Sequence, residues 1–405
     1  LVDTSIPLGE YAARRKRLLK SLDGAVGIVM AGDGAPPLRG EWFPNFDFVY
    51  LTGIRSEPGA VVVFDPSNPD PKKRIMLLLK PVNPEADVWD GYRPTIGQEL
   101  RDRTGFDTIQ RTDRLAHWLL TGAKRTKRLA CLHPLAPHTA PVSPDLAVFQ
   151  ALASRVPGCV IEDRSDRITA MRMVKSAAEL GHIRAAIGAT HAGIERVIGM
   201  LSPDVDERDL HNALLSGFAS AGAKAPAFNP IVGSGIRSTI LHYKDNDRTA
   251  RAGDLLVLDS GAEINGYAAD ITRTFPVGGT FTPRQREIYE LVLKAQRAAI
   301  RAVKPGATMV KVDEAARRVI RGAGYGDAFM HGTGHHLGLE THDPGTLTPL
   351  KAGMVVTIEP GIYLPDEEIG VRIEDDILVT KEGSENLSSA IPKSVKDIEA
   401  LLARR

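Results

Sequence analysis

The chain has 405 residues, enough for two or three domains with cores of their own. Hydrophobic residues at 43% and charged residues at 25% exclude a fibrous or low-complexity protein. Lys and Arg total 51 against 50 Asp and Glu, so the formal charge of +1 points to neither nucleic acid nor an anionic membrane as a partner.

The first part of the chain reads as α/β. Glu10 to Leu22 is a basic amphipathic helix whose Arg14-Arg15-Lys16-Arg17 run adjoins no apolar signal segment. The start at Leu1 leaves a removed upstream piece open. Ala25–Met30, Phe48–Leu51, Ala60–Phe64 and Arg74–Leu79 read as strands, rich in Val, Ile and aromatics. Gln98–Thr104, Asp113–Leu120 and Ser143–Ala153 read as helices, and Arg128–Leu132 and Cys159–Glu162 as strands. Cys131 and Cys159 fit no metal, redox or disulfide pattern, and read as reduced thiols of a cytoplasmic protein. Apolar runs such as Ala60–Phe64 and Leu255–Leu258 are too short to span a bilayer. The texture changes near Asp163–Arg172, where the long helix Ser176–Met200 begins. This sets expected domains at 1–167 and 168–405.

The second part repeats itself. Arg251-Ala-Gly-Asp-Leu-Leu-Val-Leu-Asp259-Ser-Gly261 recurs 100 residues later as Lys351-Ala-Gly-Met-Val-Val-Thr-Ile-Glu359-Pro-Gly361. The shared pattern is a basic residue, Ala-Gly, an apolar strand and then a carboxylate. Two α+β halves are expected to pack about a pseudo-two-fold axis, with their strands joined in one sheet.

Each half brings two acids. Asp259 ends its strand, and Asn265-Gly266 is a type I′ hairpin signal. That turn sets Asp270, in the expected strand Tyr267–Phe275, against Gly261 and on the face of Asp259. In the second half Glu359 ends its strand, while alternation puts Arg372, Glu374 and Asp376 on one face. Four clustered carboxylates repel one another unless cations compensate them. Together with an imidazole they make a hard, oxygen-rich site for two divalent ions. The segment from His331 to His342 supplies imidazoles, with four of the eleven histidines in twelve residues. His242 precedes the Asp259 strand and is a weaker candidate by spacing alone.

The series Asp259, Asp270, His335, Glu359, Glu374 resembles the dimetal site of the pita-bread metallopeptidases. Asn45-Phe-Asp-Phe-Val-Tyr-Leu-Thr-Gly53 and Glu57-Pro-Gly-Ala60 are similar to the N-terminal domain of the aminopeptidase P, prolidase and creatinase branch. The resemblance implies a creatinase-like N-terminal α/β domain followed by a pita-bread α+β domain with duplicated halves. It makes the five residues metal ligands, with Glu359 also shuttling protons. It gives His242, His331 and His342 contact with substrate or with the tetrahedral intermediate. It places Arg372 near the substrate's C-terminal side. Trp89 resembles a tryptophan supplied by a neighbouring subunit. His336 and Gly334 depart from the family, which often has Trp and Ser there.

The implied activity is metal-dependent hydrolysis of the Xaa-Pro bond at a peptide's N-terminus, releasing the first residue. The implied ion is Mn2+, with Co2+ or Zn2+ as alternatives, and the implied assembly is a homodimer or homotetramer. An Xaa-Pro dipeptidase restricted to dipeptides is the alternative reading. A non-catalytic binding protein of the same fold is disfavoured by the complete ligand series.

Overall fold

The structure, a computed structural model, describes residues 5–32, 42–90 and 93–404. The chain divides into two compact units, Leu1–Met171 and Arg172–Arg405. The division falls inside the helix Asp166–Met173, four residues past 167.

In the first unit, six strands form one mixed sheet in the order Thr108–Arg111, Ile75–Leu79, Val61–Phe64, Val26–Met30, Arg128–Cys131, Val160–Asp163. Alternate residues Val26 and Ile28, Val61 and Val63, Met76 and Leu78, and Leu129 and Cys131 share one face. Leu119, Ala123 and Phe149, from the helices Leu115–Thr126 and Pro144–Ala153, cover that face. Fully burying a Val or Leu there contributes about 1.5–3 kcal/mol. Cys131 is therefore a core residue, its thiol pushed up to about 12 by burial.

One expected strand is a helix. Phe46–Thr52 is helical, started by the Asn45 side chain, which accepts from the Asp47 and Phe48 amides. It is stopped by Gly53 in the left-handed region at φ 69°. An apolar run buried on all sides carries no helical period, so it resembles a strand. Thr108–Arg111 went unforeseen because Ile109 is its only apolar residue.

The second unit shows the duplication. Each half pairs a long helix with a 14-residue one: Ala177–Met200 with Glu207–Ser220, and Pro283–Ala302 with Met309–Gly322. Both long helices open on a capping box, Ser176 with Glu179 and Thr282 with Gln285. In the first half, Leu255–Ser260 pairs antiparallel with Ile271–Pro276 and Ile231–Ser234. In the second, Val355–Ile358 pairs with Asp375–Val379, and Gly361–Leu364 with Ile369–Arg372. The ladders are separate sheets rather than one; the halves meet where the Glu374 amide donates to the Thr272 carbonyl at 3.1 Å.

The hairpin has the expected turn, with Asn265 at φ 50° and Gly266 at φ 79°. A single register runs from the pair Ile264 and Tyr267 through Ile271 and Ser260, which sets Asp270 against Gly261. The expected strand Tyr267–Phe275 is interrupted, and Asp270 sits in the gap before Ile271. The backbone closes tightly there: a Cβ on Gly261 would lie 1.8 Å from the Ala269 carbonyl oxygen.

Candidate metal centre

The apolar strand Leu255–Ser260 carries Asp259 to a buried end, where its Oδ2 accepts from Arg372 Nη2 at 2.8 Å. Its Oδ1 is buried with no hydrogen-bond partner. Asp270 donates its amide to Asp376 Oδ2 at 3.2 Å. Glu374 is 1% exposed, and its Oε2 accepts from Thr272 Oγ1 at 2.7 Å. Glu359 follows the strand Val355–Ile358, and its amide donates to the Thr333 carbonyl at 2.8 Å.

His335 organises the acids. Its Nδ1 lies 3.0 Å from the His336 carbonyl, which can only accept. Nδ1 therefore carries a hydrogen, which leaves Nε2 as the ring atom able to bind a metal. Nε2 lies 3.4 Å from Asp270 Oδ2 and 3.6 Å from Glu359 Oε1. Ligand atoms of Asp270, His335 and Glu374 all lie within 4.8 Å of one another.

The cluster is short of positive charge. Burial, and then Asp259 and Glu359, raise the Asp270 carboxyl well above its ordinary value. Burial, and then Asp270, do the same to Glu374. Glu359 is pushed up to about 7, burial being the largest cause. Asp376 is also raised, first by burial, and its Oδ1 has no partner. The donor set, the orphaned oxygens and the convergence of ligand atoms all fit divalent cations.

A chain of hydrogen bonds that sequence reasoning missed borders the cluster. Arg372 Nη1 donates to Tyr363 Oη at 2.8 Å, and Tyr363 Oη donates to His331 Nε2 at 2.8 Å. His331 Nδ1 is held by the Gly332 carbonyl at 2.8 Å. Burial, followed by Arg372, lowers His331 to about 4 and keeps it neutral. Strand alternation could have found Tyr363, since positions 359, 361 and 363 share a face.

The His342 ring lies against His335, with centroids 4.0 Å apart and planes tilted by 39°. Burial is the first cause that lowers its proton affinity, followed by His335 and His242. Both His242 and His342 are exposed. The loop that carries His342 is pinned by Asp343, which is bound by Arg172 at 2.6 Å and Lys175 at 3.1 Å.

The two departures from the family have local reasons. A Cβ on Gly334 would lie 1.9 Å from the Thr357 carbonyl oxygen, so Ser has no room. His336 is 6% exposed, with neither ring nitrogen hydrogen-bonded, and burial lowers it to about 4. It fills space as a neutral ring.

Residues 181–381 match metallopeptidase family M24, and residues 11–130 match the aminopeptidase P N-terminal domain. The Xaa-Pro aminopeptidase of Escherichia coli (strain K12) is 33% identical over 97% of this chain and 97% of its own. The chain belongs to metallopeptidase family M24. The solved structure of Pseudomonas aeruginosa aminopeptidase PepP shares this M24 fold at a TM-score of 0.88 and 32% identity, covering 98% of both chains. The Xaa-Pro dipeptidase of Pyrococcus furiosus is 41% identical over 55% of this chain and 65% of its own. The fold expected from the sequence, an aminopeptidase P-like N-terminal domain before a pita-bread domain, is thereby borne out. Membership brings divalent metal ions to the M24 domain.

Proposed function

We propose that this M24 metallopeptidase is an Xaa-Pro aminopeptidase, releasing the N-terminal residue from peptides with proline second. The observation that carries the reading is the extent of similarity. It runs over 97% of this chain for the E. coli aminopeptidase, against 55% for the dipeptidase.

Asp259, Asp270, His335, Glu359 and Glu374 would hold two divalent ions, manganese before cobalt or zinc, as oxygen-rich donors without thiolate favour. Bound there, the ions would supply Lewis acidity toward the scissile carbonyl and lower the pKa of water. Glu359 moves the proton from the attacking water to the leaving nitrogen. Its side chain is 19% exposed against 12% for Asp259 and 7% for Asp270, so it is the acid open to substrate. The tertiary amide nitrogen of an Xaa-Pro bond would otherwise leave as a strongly basic anion, so its protonation must accompany bond breaking.

His331 is a neutral ring whose Nδ1–H donates to the Gly332 carbonyl and whose Nε2 accepts from Tyr363, so it is held beside Glu359 as a fixed contact for substrate. Exposed His242 and His342 meet the peptide. Arg372 spends its guanidinium on Asp259, Tyr363 and Thr272, so we assign it to positioning these groups rather than to the substrate's C-terminal side.

Assembly as a homodimer or homotetramer is supported by the helix Pro84–Asp90, where Trp89 is 88% and Val88 72% exposed. A cytoplasmic setting is supported by the two free thiols. No helix among the described residues is long and apolar enough to cross a membrane.

Comparing an Xaa-Pro dipeptide with an Xaa-Pro-Yaa-Zaa peptide separates the two peptidase readings. Cleavage of the longer peptide supports the aminopeptidase, and cleavage of the dipeptide alone rejects it.

A further inference from the structure

The near-neutral total charge hides a strongly basic groove of about 570 Å3, within the size range of ligand cavities. Its walls are the helix Pro283–Ala302 and the start of the helix Val395–Leu402. Arg286, Lys294, Arg297, Arg301 and Lys396 line it, against Glu290 as the single acid. Lys294, Arg297 and Arg301 follow i, i+3, i+7 spacing and so share one helix face.

Toward the start of this helix cations are matched, the groove's Arg286 among them. Arg284 pairs with Glu287 at 2.9 Å and Glu367 at 2.7 Å, and Arg286 with Glu399 at 2.7 Å. Among the described residues, the side chains of Lys294, Arg297, Arg301 and Lys396 have no such partner. Charges held together without counter-charge repel one another, and a bound anion relieves that.

The groove is also preformed. Gln296, next to Arg297, donates to Asp375 Oδ2 at 2.7 Å. Lys393, just before Ser394, donates to Gln296 Oε1 at 2.9 Å and also binds Asp375. Tyr289 Oη donates to the Lys393 carbonyl at 2.9 Å. These bonds tie one wall to the other, so the backbone that carries the cations is fixed before binding.

We propose that this groove binds an oligophosphate anion. From Lys294 to Arg301 the helix rises about 10 Å. A chain of phosphate groups can engage cations over that length, whereas a single small anion reaches only part of it. Arg297 and Arg301 offer planar forks that match phosphate oxygens two at a time. None of the residues assigned to the metal centre lines the groove, so this is a second site.

The test titrates inorganic tripolyphosphate, and separately adenosine triphosphate, into the metal-loaded protein and into the Lys294→Ala/Arg297→Ala/Arg301→Ala variant by calorimetry. All three positions are exposed, and unchanged peptidase activity verifies the variant's fold. Any heat from metal chelation is common to both proteins, so the difference reports the groove. The expected result is saturable binding that weakens with salt and is at least about tenfold weaker in the variant. Tighter binding of adenosine triphosphate assigns a nucleoside-borne ligand; equal binding assigns a free oligophosphate. Identical isotherms for the two proteins overturn the proposal. So does saturable binding of a single-stranded oligonucleotide when neither small phosphate binds.

Discussion

His335 Nε2 lies 3.4 Å from Asp270 Oδ2, while the ring's Nδ1–H is held by the His336 carbonyl on the other side. With Glu374 they bring three ligand atoms within 4.8 Å of one another among buried carboxylates, an arrangement that a cation stabilises. Chelator-treated protein should therefore melt lower than metal-loaded protein. At ion concentrations one hundred times Kd the gain is about 2.7 kcal/mol, or at least about 5 °C. Calorimetric melts with and without Mn2+ check this, with activity lost and restored in parallel.

Glu359→Gln keeps the size of the side chain and removes the proton carrier. Turnover should fall by at least about a hundredfold with the fold retained. Full activity by steady-state kinetics, in protein with a native circular dichroism spectrum, would refute the assignment.

Tyr363→Phe removes the hydroxyl that joins Arg372 to His331. Stability should drop by about 1 kcal/mol for the lost hydrogen bonds. The kcat should fall by about tenfold with KM little changed, because the hydroxyl orients His331 rather than binding the peptide. Separate kcat and KM measurements check this.

Asp343 gives a pH dependence. Burial alone would raise its carboxyl, but Lys175 and Arg172 outweigh burial and hold it below the ordinary carboxylate range. A carboxyl lowered on folding adds stability above its unfolded pKa of about 3.9, and loses it as pH falls through the folded value. Asp343→Asn should cost about 3 kcal/mol near neutral pH, because it takes the carboxylate from buried Lys175 and leaves Arg172 to Glu340. The gap between variant and natural protein should narrow below about pH 4. Urea unfolding across that range measures it.

Much of the fold and site was legible because duplication and strand alternation are simple periods. The 100-residue repeat places Asp259 and Glu359 alike, and the hairpin at Asn265-Gly266 fixes the register that brings Asp270 to Gly261. The Phe46–Thr52 helix was misread because burial on all sides erases its period, although Asn45 and Gly53 mark its ends. Thr272 and the Arg172–Asp343–Lys175 cluster depend on contacts between distant segments, which no local pattern records. The balanced charge count of the whole chain conceals both the acid cluster and the basic groove, since only folding decides which charges become neighbours.

The central claim is metal-dependent release of the first residue ahead of proline. The most direct measurement is mass spectrometry of Xaa-Pro-Yaa-Zaa and Xaa-Ala-Yaa-Zaa peptides incubated with Mn2+-loaded and metal-free protein. We expect free Xaa and Pro-Yaa-Zaa from the proline peptide with metal, and neither product from the other three combinations. An intact proline peptide in the presence of metal, or equal cleavage without it, would contradict the account.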